Sequence, residues 1–189
     1  MSDFRLSKDK LPVIASELGA DQADVNTLFP VFLEFYDEVR AYDEVREQHL
    51  SSVMRALELR IRKKHGKPSF TVEWMSMPMD SPPPSKDSVG LSWPDKFAIV
   101  IHPELDFEQT RNHVAHELGH LFYITEYPQK IGDKKLNQKM ANVLGVFTML
   151  ERSEFYIEKA PTMIPATWKQ VINDFKQLSN REDGKFGVS

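Results

Sequence analysis

Apolar residues recur at helical spacing through the first third of the chain, from about Lys8 to Lys64. Gly19 is a natural end for the first helix because glycine readily closes a helix C-terminus. A second helix is predicted from Asp21 or Asp24, since either side chain can cap its first turn. Pro30 predicts a break or a new start. The N-terminal third therefore reads as a set of amphipathic helices.

The spacing changes after 66–68, where a glycine and a proline follow a basic run. Phe70 to Met75 alternates apolar and polar residues and predicts a strand. Leu91 to Trp93 predicts a short strand, and the nearly continuous apolar run Phe97 to His102 predicts a strand buried on both faces. The proline-rich segment Met79 to Ser88 predicts a loop. Together these patterns predict a small three-stranded sheet.

Helical spacing returns in the second half. Asp106 is the predicted cap of the next helix, with Gln109 three residues later completing a capping box. Residues 126–135 predict a loop, 136–150 a strongly apolar helix, and 167–178 a final amphipathic helix. The fold class is therefore α+β.

We expect two parts: residues 1–66 as a helical N-terminal extension and 67–189 as the strand-containing domain, packed as one compact unit. The chain has 189 residues, which is enough for one sizeable core.

Composition narrows the possible chemistry. The chain has no cysteine, which excludes disulfides, thiolate zinc sites and cysteine nucleophiles. The net charge of −4 gives no electrostatic reason to expect a nucleic-acid partner. No apolar run approaches the ~20 residues that span a bilayer, and the N-terminus lacks a signal-peptide core. These features predict a cytoplasmic protein without a membrane partner.

The candidate chemistry lies in HELGH, within the helix that follows the third predicted strand. His116 and His120 are four residues apart, so their side chains leave the same face of a helix and can share one zinc ion. Glu117 projects beside the metal, where it can take a proton from metal-bound water and return it to a leaving amine. Gly119 suggests close approach of another helix. His113 is too far from His120 along the helix axis to share the ion, and a supporting or substrate-facing role fits it better.

Two blocks resemble a known family, the ImmA/IrrE metallopeptidases of bacteria and their mobile elements. The first is FAIVIHPELDFEQTRNHVAHELGHLF, residues 97–122, and the second is MANVLGVFTML, residues 140–150. The resemblance covers roughly residues 69–155. It implies a zincin-like core, in which the HExxH helix and a packing helix hold Zn²⁺. It also implies hydrolysis of a peptide bond in a protein substrate, typically a transcriptional repressor.

The resemblance leaves the third metal ligand open. The family places a glutamate on the packing helix, four residues before an aspartate or asparagine. Asn142 matches the asparagine, which would support the ligands. The ligand position, four residues earlier, is Gln138 instead of a glutamate. Its amide oxygen is a weaker zinc ligand than a carboxylate. Gln138 could bind weakly in a slow or inactive enzyme, a nearby carboxylate could replace it, or the register could be shifted by one turn. The candidate carboxylates are Asp133, Glu126, Glu151 and Glu154.

Two rival functions remain. A catalytically impaired family member would act as a protein-binding regulatory module, which Gln138 favours. The helix pair around residues 14–28 has the spacing of a helix-turn-helix, but its second helix carries no Lys or Arg to contact phosphate, so DNA binding is disfavoured.

Peptide hydrolysis would also need a donor that stabilises the oxyanion of the transition state. The candidates are Tyr123, Tyr127, Tyr156, His102 and His113.

Overall fold

The computed structural model describes residues 11–42, 49–77, 88–130, 132–159 and 168–182. Within these ranges the chain forms six helices and three strands, and is mostly helical. The helices are α1 (Leu11–Glu17), α2 (Gln22–Tyr42), α3 (His49–His65), α4 (Phe107–Glu126), α5 (Lys134–Lys159) and α6 (Trp168–Glu182). The strands are β1 (Thr71–Ser76), β2 (Ser88–Ser92) and β3 (Lys96–Ile101). The predicted α+β class and three-stranded sheet are confirmed.

The sheet is mixed, with the order β1-β3-β2. β1 runs parallel to β3, and β2 runs antiparallel to it. Three residues of β3 that face the helices, Phe97, Ile99 and Ile101, are buried, whereas Val100 on the opposite face is half-buried. The loop predicted at 79–88 lies outside the described residues except for Ser88, which begins β2.

The N-terminal helices follow most of the predicted signals. The Asp21 carboxylate accepts a hydrogen bond from the backbone N–H of Ala23 at 2.7 Å, capping α2. Gly66, with φ of 61°, follows the end of α3 in the left-handed conformation typical of glycine there.

The break predicted at Pro30 is wrong, because α2 continues through it. Proline costs a helix interior about 3 kcal/mol. Burial of Phe29 and Phe32 on either side offsets that cost.

Aromatic side chains join the N-terminal helices to the helices that follow the sheet. The Phe35 ring centroid lies 4.9 Å from that of Phe122 on α4, and Phe29 lies 5.5 Å from Phe147 on α5. These rings belong to one buried cluster that extends from Ile14 to residues of α6. The helices before and after the sheet thus share one apolar core; the division at residue 66 stays a prediction.

Within the described ranges, no helix combines the length and apolar character that crossing a lipid bilayer requires.

Candidate metal centre

Helix α4 begins with the predicted capping box. The Asp106 carboxylate accepts from the Gln109 backbone N–H at 2.8 Å, and the Gln109 side chain accepts from the Asp106 backbone N–H at 3.0 Å. This cap fixes the start of a 20-residue helix and places His116, Glu117 and His120 in its central turns. All three side chains are buried. The motif therefore lies inside the protein and not on a solvated helix face.

The two histidine rings converge. His116 Nε2 and His120 Nε2 are 3.0 Å apart, and the rings are nearly perpendicular. Two nitrogens bound tetrahedrally to one zinc ion, each at about 2.0–2.1 Å, lie about 3.3 Å apart. A few tenths of an ångström of ring movement would satisfy that geometry. In spacing, this pair fits a small divalent cation.

Gln138 joins the pair from α5. Its amide Nε2 lies 3.3 Å from His116 Nε2, close to the ligand-to-ligand distance expected around zinc. His116 Nε2 carries either one proton or one lone pair, so it can complete only one strong linear hydrogen bond, although two groups lie within reach. Rotating the Gln138 amide by half a turn would present its oxygen at the same point. One shared cation would use the lone pairs of all three groups.

Asn137, which the sequence analysis missed, orients His120. Its Oδ1 lies 2.9 Å from His120 Nδ1. A proton on Nδ1 donated to this oxygen leaves Nε2 with its lone pair directed at His116, which is the tautomer that a metal ligand needs. The helical register could have shown that Asn137 neighbours Gln138, but not that it faces a histidine 17 residues earlier.

Two glycines allow α4 and α5 to approach closely enough for these contacts. A Cβ at Gly119 would lie 2.6 Å from the Ala141 backbone oxygen. One at Gly145 would lie 3.3 Å from His116 Cα, and closer still to the Phe175 ring of α6. The helices run antiparallel, since His120 faces residue 137 and His116 lies beside 145. The close approach expected from Gly119 is confirmed, and it brings Gln138 to the histidines.

Other predicted residues take separate places. Asn142 is buried one turn after Gln138 on α5, and its supporting role stays a prediction. His113 is also buried, one turn before the histidine pair. Along with Asn112 and Asp174, it lines a cavity of about 250 Å³ between α4 and α6.

The proposed substitute carboxylates are engaged elsewhere. Glu126 accepts from Arg60 Nε at 2.6 Å and from Lys64 Nζ at 2.8 Å. Burial alone would raise the pKa of Glu126, but hydrogen bonds and charges from these two cations outweigh it and hold the pKa below its ordinary value. Asp133 caps the start of α5 by accepting from the Leu136 backbone N–H at 2.9 Å. The side chains of residues 151 and 154 lie outside the described set.

Among the candidate oxyanion donors, Tyr123 is buried, and burial with nearby carboxylates raises its pKa to about 12, so it keeps its proton at neutral pH. Tyr127 donates its hydroxyl to the Thr27 carbonyl oxygen at 3.4 Å, an anchor to α2. His102 Nδ1 accepts from the Glu104 backbone N–H at 3.2 Å, at the turn before α4. The side chain of residue 156 lies outside the described set.

The donor set is thus two imidazoles and one amide. Among the described residues, no group of three His, Asp or Glu side chains is placed to share a cation. Three such ligands would match the coordination number of a zinc site that keeps one open position, and the two measured spacings are close to those around zinc. A neutral set binds more weakly than one containing a carboxylate.

The chain matches no protein-family model, and searches of curated proteins and of solved structures found no match. The resemblance to the ImmA/IrrE metallopeptidases therefore stays a prediction.

Proposed function

We propose that this protein is a zinc-dependent peptidase acting on a protein or peptide substrate. The observation that supports this most is the position of His116 Nε2, which lies 3.0 Å from His120 Nε2 and 3.3 Å from the Gln138 amide nitrogen, on the same helix as the buried Glu117. Hydrogen bonds alone could join these groups in pairs, but a shared divalent cation would use the lone pairs of all three.

The roles follow from the chemistry of each group. His116, His120 and Gln138 would hold the zinc ion, which would supply Lewis acidity and lower the pKa of water to about 7. Glu117, adjacent to the first histidine, accepts the proton of the attacking water and donates it to the leaving amine. Asn137 keeps His120 in the required tautomer. The substrate reaches the site from the side of Asn137 and Gln138, the half-buried members of the cluster.

An extended peptide suits the surroundings of Glu117. Strand β2 is an outer strand of the described sheet, and a Cβ at its Gly90 would lie 2.7 Å from Glu117 Oε2. An outer strand presents unpaired backbone N–H and C=O groups, which can pair with an extended chain. A peptide bound along β2 would pass beside the carboxylate. This arrangement favours a peptide over a compact small molecule.

Gln138 supports a second candidate function, that of a catalytically impaired family member that binds a partner protein through the same groove. An amide oxygen lacks the negative charge that strengthens zinc binding and offsets the charge of the ion. A transcriptional repressor is the partner that the resemblance implies for either function. Metal content and cleavage separate the two.

The first experiment measures zinc in the purified protein by elemental analysis and titration. We expect near-stoichiometric zinc in the wild type. Removal of a residue that supports a ligand lowers metal affinity roughly 10–100-fold. His120→Ala removes a proposed ligand itself, so its zinc affinity should fall by more than that. The matched control is His113→Gln, one turn earlier on the same helix, which should keep wild-type affinity. Equal zinc binding by wild type and His120→Ala would refute the site.

The second experiment measures cleavage of a random-sequence peptide library by mass spectrometry, with and without Glu117→Gln. The amide cannot accept a proton, so we expect cleavage to fall by at least about 100-fold while zinc content stays unchanged. Cleavage by wild type that Glu117→Gln leaves intact would remove Glu117 as the base. Full zinc occupancy with no cleaved sequence in the library would favour the protein-binding module.

A further inference from the structure

Gly90 lies on the face of the sheet that meets α4. It pairs with Ile99 of β3, and side chains directly opposite each other in paired strands point to the same face. Ile99 is fully buried, so that face is the one turned to the helices. Gly90 therefore leaves this point of the inner face of β2 without a side chain.

No side chain fits at Gly90 while its neighbours stay in place. An added Cβ would lie 2.7 Å from Glu117 Oε2 and 2.7 Å from Phe97 Cζ, and real Cβ contacts under 3.0 Å essentially never occur. The backbone itself does not demand glycine, since among the described glycines only Gly19 and Gly66 have positive φ. Gly90 thus serves close approach, and the group that approaches it is the proposed catalytic carboxylate.

Both neighbours are buried, and Glu117 has the more flexible side chain of the two. The Phe97 ring is buried in the sheet–helix core, where packing holds it in place. The Glu117 carboxylate stands at the end of three rotatable bonds and can swing to another rotamer. A methyl group at position 90 therefore displaces the carboxylate first. The three heavy atoms nearest to that methyl position belong to Glu117 and Phe97, and none belongs to a histidine.

We propose that Gly90 is a positioning residue for Glu117: the absence of a side chain on the edge strand leaves the space that the carboxylate occupies beside the histidine pair. The inference rests on the proposed function in so far as Glu117 is the catalytic base. Displacing a catalytic group by about 1 Å can cost on the order of 100-fold in rate. Substrate binding along the outer edge of β2 would be little affected, because the added methyl points to the inner face.

The test compares Gly90→Ala with Gly132→Ala, a matched control where an added Cβ meets nothing within 4 Å. Both variants should bind zinc like the wild type. On the best-cleaved peptide of the random library, Gly90→Ala should lower kcat about 100-fold with little change in KM. Gly132→Ala should change neither. A wild-type kcat in Gly90→Ala, or a loss that lies entirely in KM, would overturn the proposal.

A second readout needs no turnover. The drop in Tm caused by Gly90→Ala should be at least halved in a Glu117→Ala background, because the colliding carboxylate is gone. Gly132→Ala should shift Tm equally in both backgrounds. An identical drop with and without Glu117 would overturn the proposed contact. Coupling in Tm together with no cleavage by the wild type would support the contact and overturn the peptidase function, so the two failures are distinguishable.

Discussion

Helix α4 carries two buried polar clusters of opposite character. Near its C-terminus, the Glu126 carboxylate meets Arg60 at 2.6 Å and Lys64 at 2.8 Å, so opposite charges pair directly. In its central turns, His116 and His120 approach to 3.0 Å, with the Gln138 amide 3.3 Å from His116. One cluster brings opposite charges together; the other brings together two imidazoles and an amide.

The two clusters differ in their expected roles: the first stabilises the fold, and the second is the proposed metal site. Complementary charges at hydrogen-bond distance account for the first cluster, which joins α3 to α4 and needs no ligand. The second cluster holds hydrogen-bonding groups without opposite charges, and the one available position on His116 Nε2 cannot serve both neighbours in strong hydrogen bonds at once. Under the proposed function, a shared cation would use all three groups. Changes in the first cluster should therefore alter folding, and changes in the second should alter metal content.

The largest expected effect on folding is that of Glu126→Ala. Breaking a buried ion pair by removing one partner costs about 3–5 kcal/mol, and we expect the lower end because Glu38 stays 2.7 Å from Arg60. At about 2–4 °C per kcal/mol for a chain of this size, Tm should fall by roughly 6–12 °C. Zinc affinity of the folded variant should equal that of the wild type.

The matched control for that variant is Glu108→Ala, on the same helix. Glu108 is largely exposed, with an oxygen 3.9 Å from Arg111, so its loss should cost less than about 1 kcal/mol. Thermal unfolding followed by circular dichroism measures both. Equal costs for the two variants, or loss of zinc in Glu126→Ala, would break the division between a folding cluster and a binding cluster.

Local signals made much of α4 and its surroundings predictable. Asp106 and Gln109 form the expected capping box, and Gly119 marks the close approach of α5. The capping box depends on residues only a few positions apart. A glycine inside a helix is most simply explained by close approach of a neighbouring helix. Most of α5 was predictable for the same reason, since apolar residues at helical spacing predicted a helix over 136–150, within the observed Lys134–Lys159.

What escaped prediction depends on partners far apart in the chain. Arg60 belongs to a basic run that suits a helix C-terminus, yet it is buried against Glu126, 66 residues later. That pairing engages the Glu126 carboxylate with Arg60 and Lys64, which spacing alone could not show. Asn137 escaped because only the packing of α5 on α4 places it at His120. Pro30 misled because tertiary burial outweighed a local rule.

Gln138→Glu tests whether residue 138 is the third ligand of the proposed metal site. A carboxylate adds charge and a stronger oxygen ligand, so zinc affinity should rise by roughly 10–100-fold, the scale on which changes around a site alter affinity. Competition with a chromophoric chelator measures the change. Gln177→Glu, a glutamine-to-glutamate change on α6, is the control for added charge alone and should leave affinity unaltered. Equal affinity of Gln138→Glu and wild type would place the third ligand elsewhere.

The smallest expected effect is the pH dependence of the folding cluster. In the folded protein the pKa of Glu126 is held below its ordinary value of 4.5 by Arg60 and Lys64, against the opposing effect of burial. Below that value the unfolded chain binds more protons at this position than the folded chain does, so the stabilisation falls as pH falls. Above about pH 6 both states are ionised and the contribution is constant.

Glu126→Gln cannot titrate, and every other carboxylate contributes alike to wild type and variant. The difference in unfolding free energy between them, measured by urea titration at constant ionic strength, should therefore be level from pH 8 to about pH 6 and shrink below about pH 4.5. A difference that grows on acidification would mean that burial outweighs the two cations and raises the pKa of Glu126. The cluster would then not be stabilised by its own ion pairs, and the contrast with the histidine pair would fail.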